Sequence, residues 1–245
     1  MFGLASTMML ASCNGTGGGN NAAGNAAAPA TDAAPAAPTA PAETRWVDRV
    51  EKTAEGGFRM GNPEAQIKLI EYGSRTCSHC ANFATTGMEP LKAYIASGRV
   101  SFEFRDFLLN PIDVSAAVVG QCAGAAQFFP ILEQMFAEQP RLLANGQQLG
   151  QAYIDELEAM APQPRVAALA DRFGYLALVR QRGVPEAQAR QCLADESATE
   201  ALVRVATTGQ TQFNVSSTPT FILNGQVIGA NTWPQVEAAL KDAGA

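Results

Sequence analysis

The sequence predicts an α/β domain interrupted by a large all-helical insertion, and three observations lead there. Residues 67–72, 80–96 and 100–107 follow one another with strand, helix and strand patterning, the parallel crossover unit of α/β proteins. Helical periodicity then dominates from about residue 113 to residue 213. β patterning returns at 220–228, around the turn pair Asn224-Gly225.

In chain order, residues 58–60 read as a short strand, Gly61-Asn62-Pro63 as a turn, and 67–72 as an apolar strand bounded by Gly73-Ser74. Across 80–96, Phe83, Met88, Leu91 and Ile95 fall on one side of a helix, with a kink expected at Pro90. Residues 100–107 alternate as a strand does, Val100, Phe102 and Phe104 facing one way. Asp113 or Ser115 is expected to cap a helix reaching Gln127, and Pro130 to stand near the first turn of another that ends at Gln139. Further helical segments are expected at 148–160, 165–173, 185–193 and 197–213. Strands 220–223 and 226–228 form a hairpin, and Thr232-x-x-Gln235 is a capping box for a last helix running to about Asp242.

Composition narrows the functional classes. Of 245 residues 47% are apolar, enough for a buried core, to which Phe102, Phe104, Phe128, Phe129, Phe136 and Phe213 are expected to belong. The net charge is -6 and basic residues never cluster beyond pairs, so no nucleic-acid partner is expected. No apolar run approaches the roughly 18 residues of a spanning helix.

The first residues point to a membrane by another route. Residues 2–10 are an apolar stretch of signal-peptide size, ending in Leu10-Ala11-Ser12-Cys13, which resembles the bacterial lipobox. That resemblance implies a lipoprotein signal peptide at 1–12, cleaved so that Cys13 becomes a lipid-modified first residue. The first charge in the chain is Asp32, so the basic start of such signals is missing, as it would be if the start codon were placed too far downstream. Residues 13–44 are Gly/Asn/Ala/Pro-rich with little to bury, and are expected to form a disordered tether with a root-mean-square reach of roughly 30 Å. A domain at 45–245 would then hang from the membrane.

Cys77-Ser78-His79-Cys80 carries the chemistry. Two cysteines so spaced could be half a zinc site, a structural disulfide or an exchanging dithiol. A structural zinc site needs four ligands, while Cys122 and Cys192 are isolated in helical segments and His79 is the only histidine. Cys77 follows a strand and opens a helix, where free N–H groups and the helix dipole stabilise a thiolate. His79 between the two thiols could stabilise it further through its imidazole.

The run GGFRMGNPEAQIKLIEYGSRTCSHCANF, the helical stretch and STPTFILNG together resemble the DsbA-type thiol:disulfide oxidoreductases, over roughly residues 55–245. The resemblance implies a thioredoxin fold whose all-helical insertion lies between the second strand-helix unit and the strand after a cis-proline. It implies that Cys77 is the exposed nucleophile and Cys80 the buried resolving thiol. Pro219 would be the cis-proline beside them, and the main chain of Thr218 would pair with bound substrate. Glu71 would be the buried acid that accepts or relays the Cys80 proton, a costly group in an apolar strand unless it works or pairs. Ser78 and His79 would tune the pair. Ser78-His79 stands where strongly oxidising members have Pro-His, and Thr218 before the proline resembles isomerases as much as oxidases, which leaves the redox potential open. Known periplasmic isomerases dimerise through an N-terminal domain where this chain has its tether, so a monomeric oxidase that introduces disulfides is expected, with an isomerase or reductase as the alternative.

The same resemblance, with the lipobox, implies a periplasm-facing, lipid-anchored monomer, held to the cell membrane or the outer membrane. It would act on cysteine-containing exported proteins and be regenerated by a membrane redox partner, with no metal or organic cofactor. A tethered peptide-binding module without redox turnover is the reading from another class. With Cys77 and Cys80 so assigned, Cys122 and Cys192 are expected to form a structural disulfide, as in similar members; otherwise they are two small buried apolar residues.

Overall fold

The computed structural model describes residues 45–146 and 149–245. The expected signal peptide, Cys13 and the tether lie outside the described residues, as does Gln148 at the expected start of a helix. Strands β1 (Val50–Lys52), β2 (Phe58–Gly61), β3 (Ile67–Gly73), β4 (Val100–Asp106), β5 (Thr220–Leu223) and β6 (Gln226–Ile228) form one sheet in the order β1-β2-β4-β3-β5-β6. β3 and β4 are parallel and joined by α1 (Ser78–Ala96); the other neighbours are antiparallel. The insertion comprises α2 (Pro111–Gln121), α3 (Ala125–Ala137), α4 (Gln139–Ala144), α5 (Gln151–Ala159), α6 (Pro162–Arg172), α7 (Tyr175–Gln181), α8 (Glu186–Ala194) and α9 (Glu196–Phe213). After the hairpin, α10 (Trp233–Asp242) returns to the sheet.

Strand alternation decides what each face meets. Leu69, Phe102, Phe104 and Phe221 pack against Phe83 and Leu91 of α1, Phe128 of α3 and Leu240 of α10. On the opposite face Tyr72 and Ile222 pack with Val205 and Ala206 of α9. The helical block has a core of its own, including Val119, Leu169, Leu178, Val179 and Leu202. Helix α3 belongs to both: Phe128, Leu132 and Phe136 join the sheet core, whereas Ile131 and Met135 join the helical one. Those sets recur at four-residue spacing, so one short helix presents two apolar stripes. At about 1.5–3 kcal/mol for each large side chain fully buried, α3 is a principal tie between sheet and insertion.

Several elements depart from expectation for identifiable reasons. Helix α2 is capped by Asn110, whose Oδ1 accepts from the N–H of Ile112 at 2.9 Å, with Pro111 at the first helical position. Asp113 and Ser115 are buried within the helix instead. The chain leaves α2 at Gln121, not Gln127, and restarts after Gly124 at φ 77°. Pro130 consequently sits in mid-helix, on an exposed position of α3, and α1 continues through Pro90. β1, a 3-10 turn at Trp46–Asp48, α4 and α7 were not expected; each is short. The polar face of β4 is buried as well as its apolar one, Arg105 Nε donating to Glu103 Oε1 at 2.7 Å and Nη1 to the Tyr72 hydroxyl at 3.1 Å. The expected capping box does not form: Thr232 caps no helix N–H, and Gln235 Oε1 accepts instead from the Asn231 N–H and the Thr232 hydroxyl, each at 3.0 Å. Asn224 and Gly225 both take positive φ, as the expected two-residue hairpin turn requires. Of the six phenylalanines expected in the core, all but the half-buried Phe213 are fully buried.

Cys122, just past α2, is bonded to Cys192 of α8, closing a span of 70 residues. Replacing both by serine is expected to lower unfolding free energy by about 2–4 kcal/mol, from the freedom the open loop regains in the unfolded chain. Denaturant titration of the two proteins checks this; an unshifted midpoint would leave the bond without a stabilising role.

Candidate active site

β3 ends at Gly73, and four residues later the chain turns into α1 with Cys77 as its N-cap in extended conformation. Cys80, one turn along, faces the core and is fully buried, while Cys77 is half-buried; both are free thiols. From the far end of the chain, the Thr218–Pro219 peptide bond, which is cis, comes to the same place. The Cys77 thiol donates to the Thr218 carbonyl at 3.2 Å. Glu71 lies mid-strand, in register with Phe104 and Phe221, and is 2% exposed. The expected nucleophile, resolving thiol, cis-proline and buried acid therefore converge.

Their surroundings shift the three titrating groups in different directions, Cys77 down and both Cys80 and Glu71 up. Cys77 is lowered to about 5, chiefly by a hydrogen bond from the Cys80 thiol, against the opposing effect of burial. The Thr218 hydroxyl, buried and otherwise without a partner, and the N–H groups of Cys80 and His79 add to the lowering. Burial pushes Cys80 well up, and its bond to Cys77 and the charges of Glu71 and Cys77 push the same way. Glu71 is also pushed well up, first by burial and then by the Cys77 charge, with a hydrogen bond from Cys80 opposing. Its Oε1 has no hydrogen-bond partner. His79 acts on Cys77 through its main-chain N–H, and its side chain, like that of Ser78, is exposed. The imidazole is not among the hydrogen-bond partners of the thiol.

The turn before Cys77 is held by residues the sequence did not single out. Arg75 is 1% exposed and bidentate on Asp106, with Nε to Oδ1 at 2.7 Å and Nη2 to Oδ2 at 3.2 Å. Its guanidinium lies 5.3 Å from the ring centre of Phe128, and a side chain at Gly120 would collide with it. Gln121 Nε2 donates to Asp106 Oδ2 at 3.0 Å. Asp113, buried in α2, accepts from the Ser74 hydroxyl at 2.9 Å, the Thr76 N–H at 3.0 Å and the Leu109 N–H at 2.9 Å. Burial raises Asp113, and these donors hold it back. Gln139 of α4 donates from Nε2 to the carbonyls of both Arg75 and Cys77, each at 3.0 Å. The available signal was Arg75 itself, a charge two residues before the cysteine motif. Among the described residues no three His, Cys, Asp or Glu side chains cluster as a metal site would require.

Comparison with known proteins agrees with this geometry. A family model described as Thioredoxin matches residues 53–242. A protein of Rickettsia felis named as a protein-disulfide oxidoreductase is 24% identical over 193 residues, covering 78% of this chain and 62% of its own. A like-named protein of Rickettsia bellii is 24% identical over 175 residues, covering 71% of this chain and 59% of its own. The chain thus spans about three fifths of the length of these curated relatives. Among solved structures, a protein-disulfide isomerase from Novosphingobium aromaticivorans superposes with a TM-score of 0.72 at 25% identity, covering 76% of this chain and 95% of its own. The α-DsbA1 of Wolbachia pipientis shares the fold, with a TM-score of 0.59 at 18% identity over 75% of this chain and 88% of its own.

Two outcomes are expected. Asp106→Asn should cost about 3–5 kcal/mol in denaturant unfolding, because it leaves the buried Arg75 charge uncompensated, and Arg75→Met with Asp106→Leu should recover most of the loss. For the reduced protein, a folded-state pKa of about 5 against an ordinary thiol value of 9.0 puts fewer protons on the native state between those limits. Stability relative to Cys77→Ser should therefore rise as pH climbs from 5 to 9 and vanish below 5. Unfolding of both proteins across that range checks the sign.

Proposed function

Because the chain belongs to the thioredoxin family, we propose that it is a thiol:disulfide oxidoreductase that acts on cysteine-containing exported proteins through Cys77 and Cys80. The observation that carries this reading is the opposed pair of thiols, Cys77 lowered to about 5 and Cys80 pushed well up, beside the cis Thr218–Pro219 bond. A thiolate so stabilised is a good leaving group and favours the reduced form of the pair.

In the oxidising direction a substrate thiolate attacks the Cys77 sulfur of the Cys77–Cys80 disulfide. That bond breaks, Cys80 leaves with the electron pair and takes a proton, and substrate and Cys77 are joined as a mixed disulfide. A second substrate thiolate then attacks the substrate sulfur and expels the Cys77 thiolate, so the substrate loses two electrons and the pair gains them. The Thr218 main chain, which now receives the Cys77 thiol, is where an extended substrate would pair. A membrane redox partner would remove the electrons. Electrons pass only between sulfurs, so the scheme uses neither metal nor organic cofactor.

The lipobox-like Leu10-Ala11-Ser12-Cys13 supports a monomer anchored by lipid at Cys13, facing the periplasm from the cell membrane or the outer membrane. Among the described residues no helix is long and apolar enough to cross a membrane. The likeness to the N. aromaticivorans protein named as an isomerase, together with Thr218 before the proline, favours isomerase or reductase activity as the second reading.

Equilibrating the full chain with a glutathione series, then trapping thiols and weighing the products, separates these readings. A midpoint near about -120 mV is expected for an oxidase, and one near about -270 mV would mean a reductant or isomerase. Cys77→Ser should abolish exchange. Cellular function retained by that variant would replace the enzyme with a peptide-binding module.

A further inference from the structure

The N–H groups of His79 and Cys80 stabilise the Cys77 thiolate only while the sulfur is held in front of them. Side-chain torsion aside, its place is set by the peptide planes on either side of Cys77, and both are pinned. The Cys77 N–H donates to the Ser74 carbonyl at 3.2 Å. The Cys77 carbonyl accepts twice, from the Ala81 N–H at 3.1 Å within α1 and from Gln139 Nε2 at 3.0 Å. Both of its lone pairs are thus occupied, so the plane between Cys77 and Ser78 turns only by breaking a hydrogen bond. The same Nε2 donates to the Arg75 carbonyl at 3.0 Å, and one amide group clamps the chain on both sides of Thr76 and Cys77. Two carbonyl oxygens facing one amide fix its NH₂ end toward them. Gln139 is 4% exposed, and Leu142 of the same short helix is buried in the core of the helical block. The clamp therefore ties the position of that block to the main chain of Cys77.

We propose that Gln139 is a positioning residue for disulfide exchange: by holding the carbonyls of Arg75 and Cys77 it keeps the Cys77 sulfur before the N–H groups of His79 and Cys80, and so sets how strongly the pair oxidises. The inference rests on the Cys77/Cys80 reading and extends it into the helical insertion. Gln139 is not among the hydrogen-bond partners of either sulfur, so it acts through the backbone alone. With the clamp gone, the plane after Cys77 is free to turn and the thiolate loses donors. The neutral thiol and the disulfide need no such donors and lose little. The disulfide is then favoured relative to the reduced pair, which becomes the weaker oxidant.

The test has two readouts on the full chain. One is the ultraviolet absorbance of the Cys77 thiolate against pH in the reduced protein, with Cys77→Ser as the blank. The other is the equilibrium of the pair with glutathione at neutral pH. Gln139→Met keeps the length of the side chain and removes its donors. It should raise the proton affinity of the thiolate by about three- to tenfold, tenfold being one pKa unit. The glutathione equilibrium should move toward the protein disulfide by the same factor, because both readouts measure the same thiolate. Leu169→Ala weakens the helical core without removing any bond to the turn, and should lower stability while leaving both readouts unchanged. An unshifted titration in folded Gln139→Met would overturn the proposal, as would a shift without its glutathione counterpart or one that Leu169→Ala reproduces. Gln139→Asn, whose amide stops a methylene short of the carbonyls, should shift both readouts the same way; it decides the question if Gln139→Met does not fold. Failure of wild type to exchange with glutathione would instead overturn the redox assignment.

Discussion

A buried cation, Arg75, two residues before Cys77 is the constraint around which the rest is arranged. Taking the Arg75 guanidinium out of water costs several kcal/mol unless an opposite charge and hydrogen-bond acceptors are supplied in good geometry. Asp106 supplies the charge from the end of β4, Phe104 and Phe128 the ring faces, and Met135 a sulfur at 3.3 Å. Gln121 orients Asp106, and the missing side chain at Gly120 leaves room for the guanidinium. Strand, α2 and α3 all have to be in place for this charge to be tolerated. Once they are, the turn that carries Cys77 has little freedom left.

On that rigid turn, three acids within one strand-helix junction are shifted from their ordinary values for reasons that can be told apart, Cys77 downward and Cys80 and Glu71 upward. Burial opposes ionisation at all of them. Only Cys77 receives enough hydrogen bonds to overcome it, being the one group at the open end of α1 and opposite Thr218. Cys80 is a turn further in, where it donates to Cys77 and the one lowering bond, from the Ser74 backbone, is outweighed, and Glu71 faces it from the sheet with one oxygen unpartnered. Environments that push like groups apart are how a site assigns separate roles to chemically similar residues.

The parts legible in the sequence were those governed by local rules. Alternation located β3 and β4, Asn224-Gly225 located the hairpin, and the spacing of Cys77 and Cys80 after a strand located the helix start. Pro219 and Glu71 needed the family resemblance, since nothing local marks a cis bond or says which way a glutamate points. Helices α4 and α7 are too short to show two turns of periodicity, so they read as connections. Asp113 looked like a cap because a carboxylate near a helix start usually is one; here Asn110 does that work and frees Asp113 for Ser74 and Thr76. Nothing local to β4 says what covers its polar residues, which are buried on the face where α9 packs. His79 was legible as a neighbour of the thiols, yet its contribution comes from the backbone, which any residue at that position would provide.

The grip of the helical block on the Ser74-Arg75-Thr76 turn bears on how portable this site is. Cys-x-x-Cys and a cis-proline strand are short pieces of sequence that look easy to move between frameworks. In this molecule the carbonyls of Arg75 and Cys77 are claimed by Gln139, and the Thr76 N–H by Asp113, both from within the insertion. A minimal scaffold lacking residues 111–213 would keep both motifs and the Asp106 carboxylate. It would expose Arg75 to water and leave Cys77 on an untethered loop, so trimming the chain toward a simpler strand-helix frame would remove the supports of the site before it removed either of its cysteines.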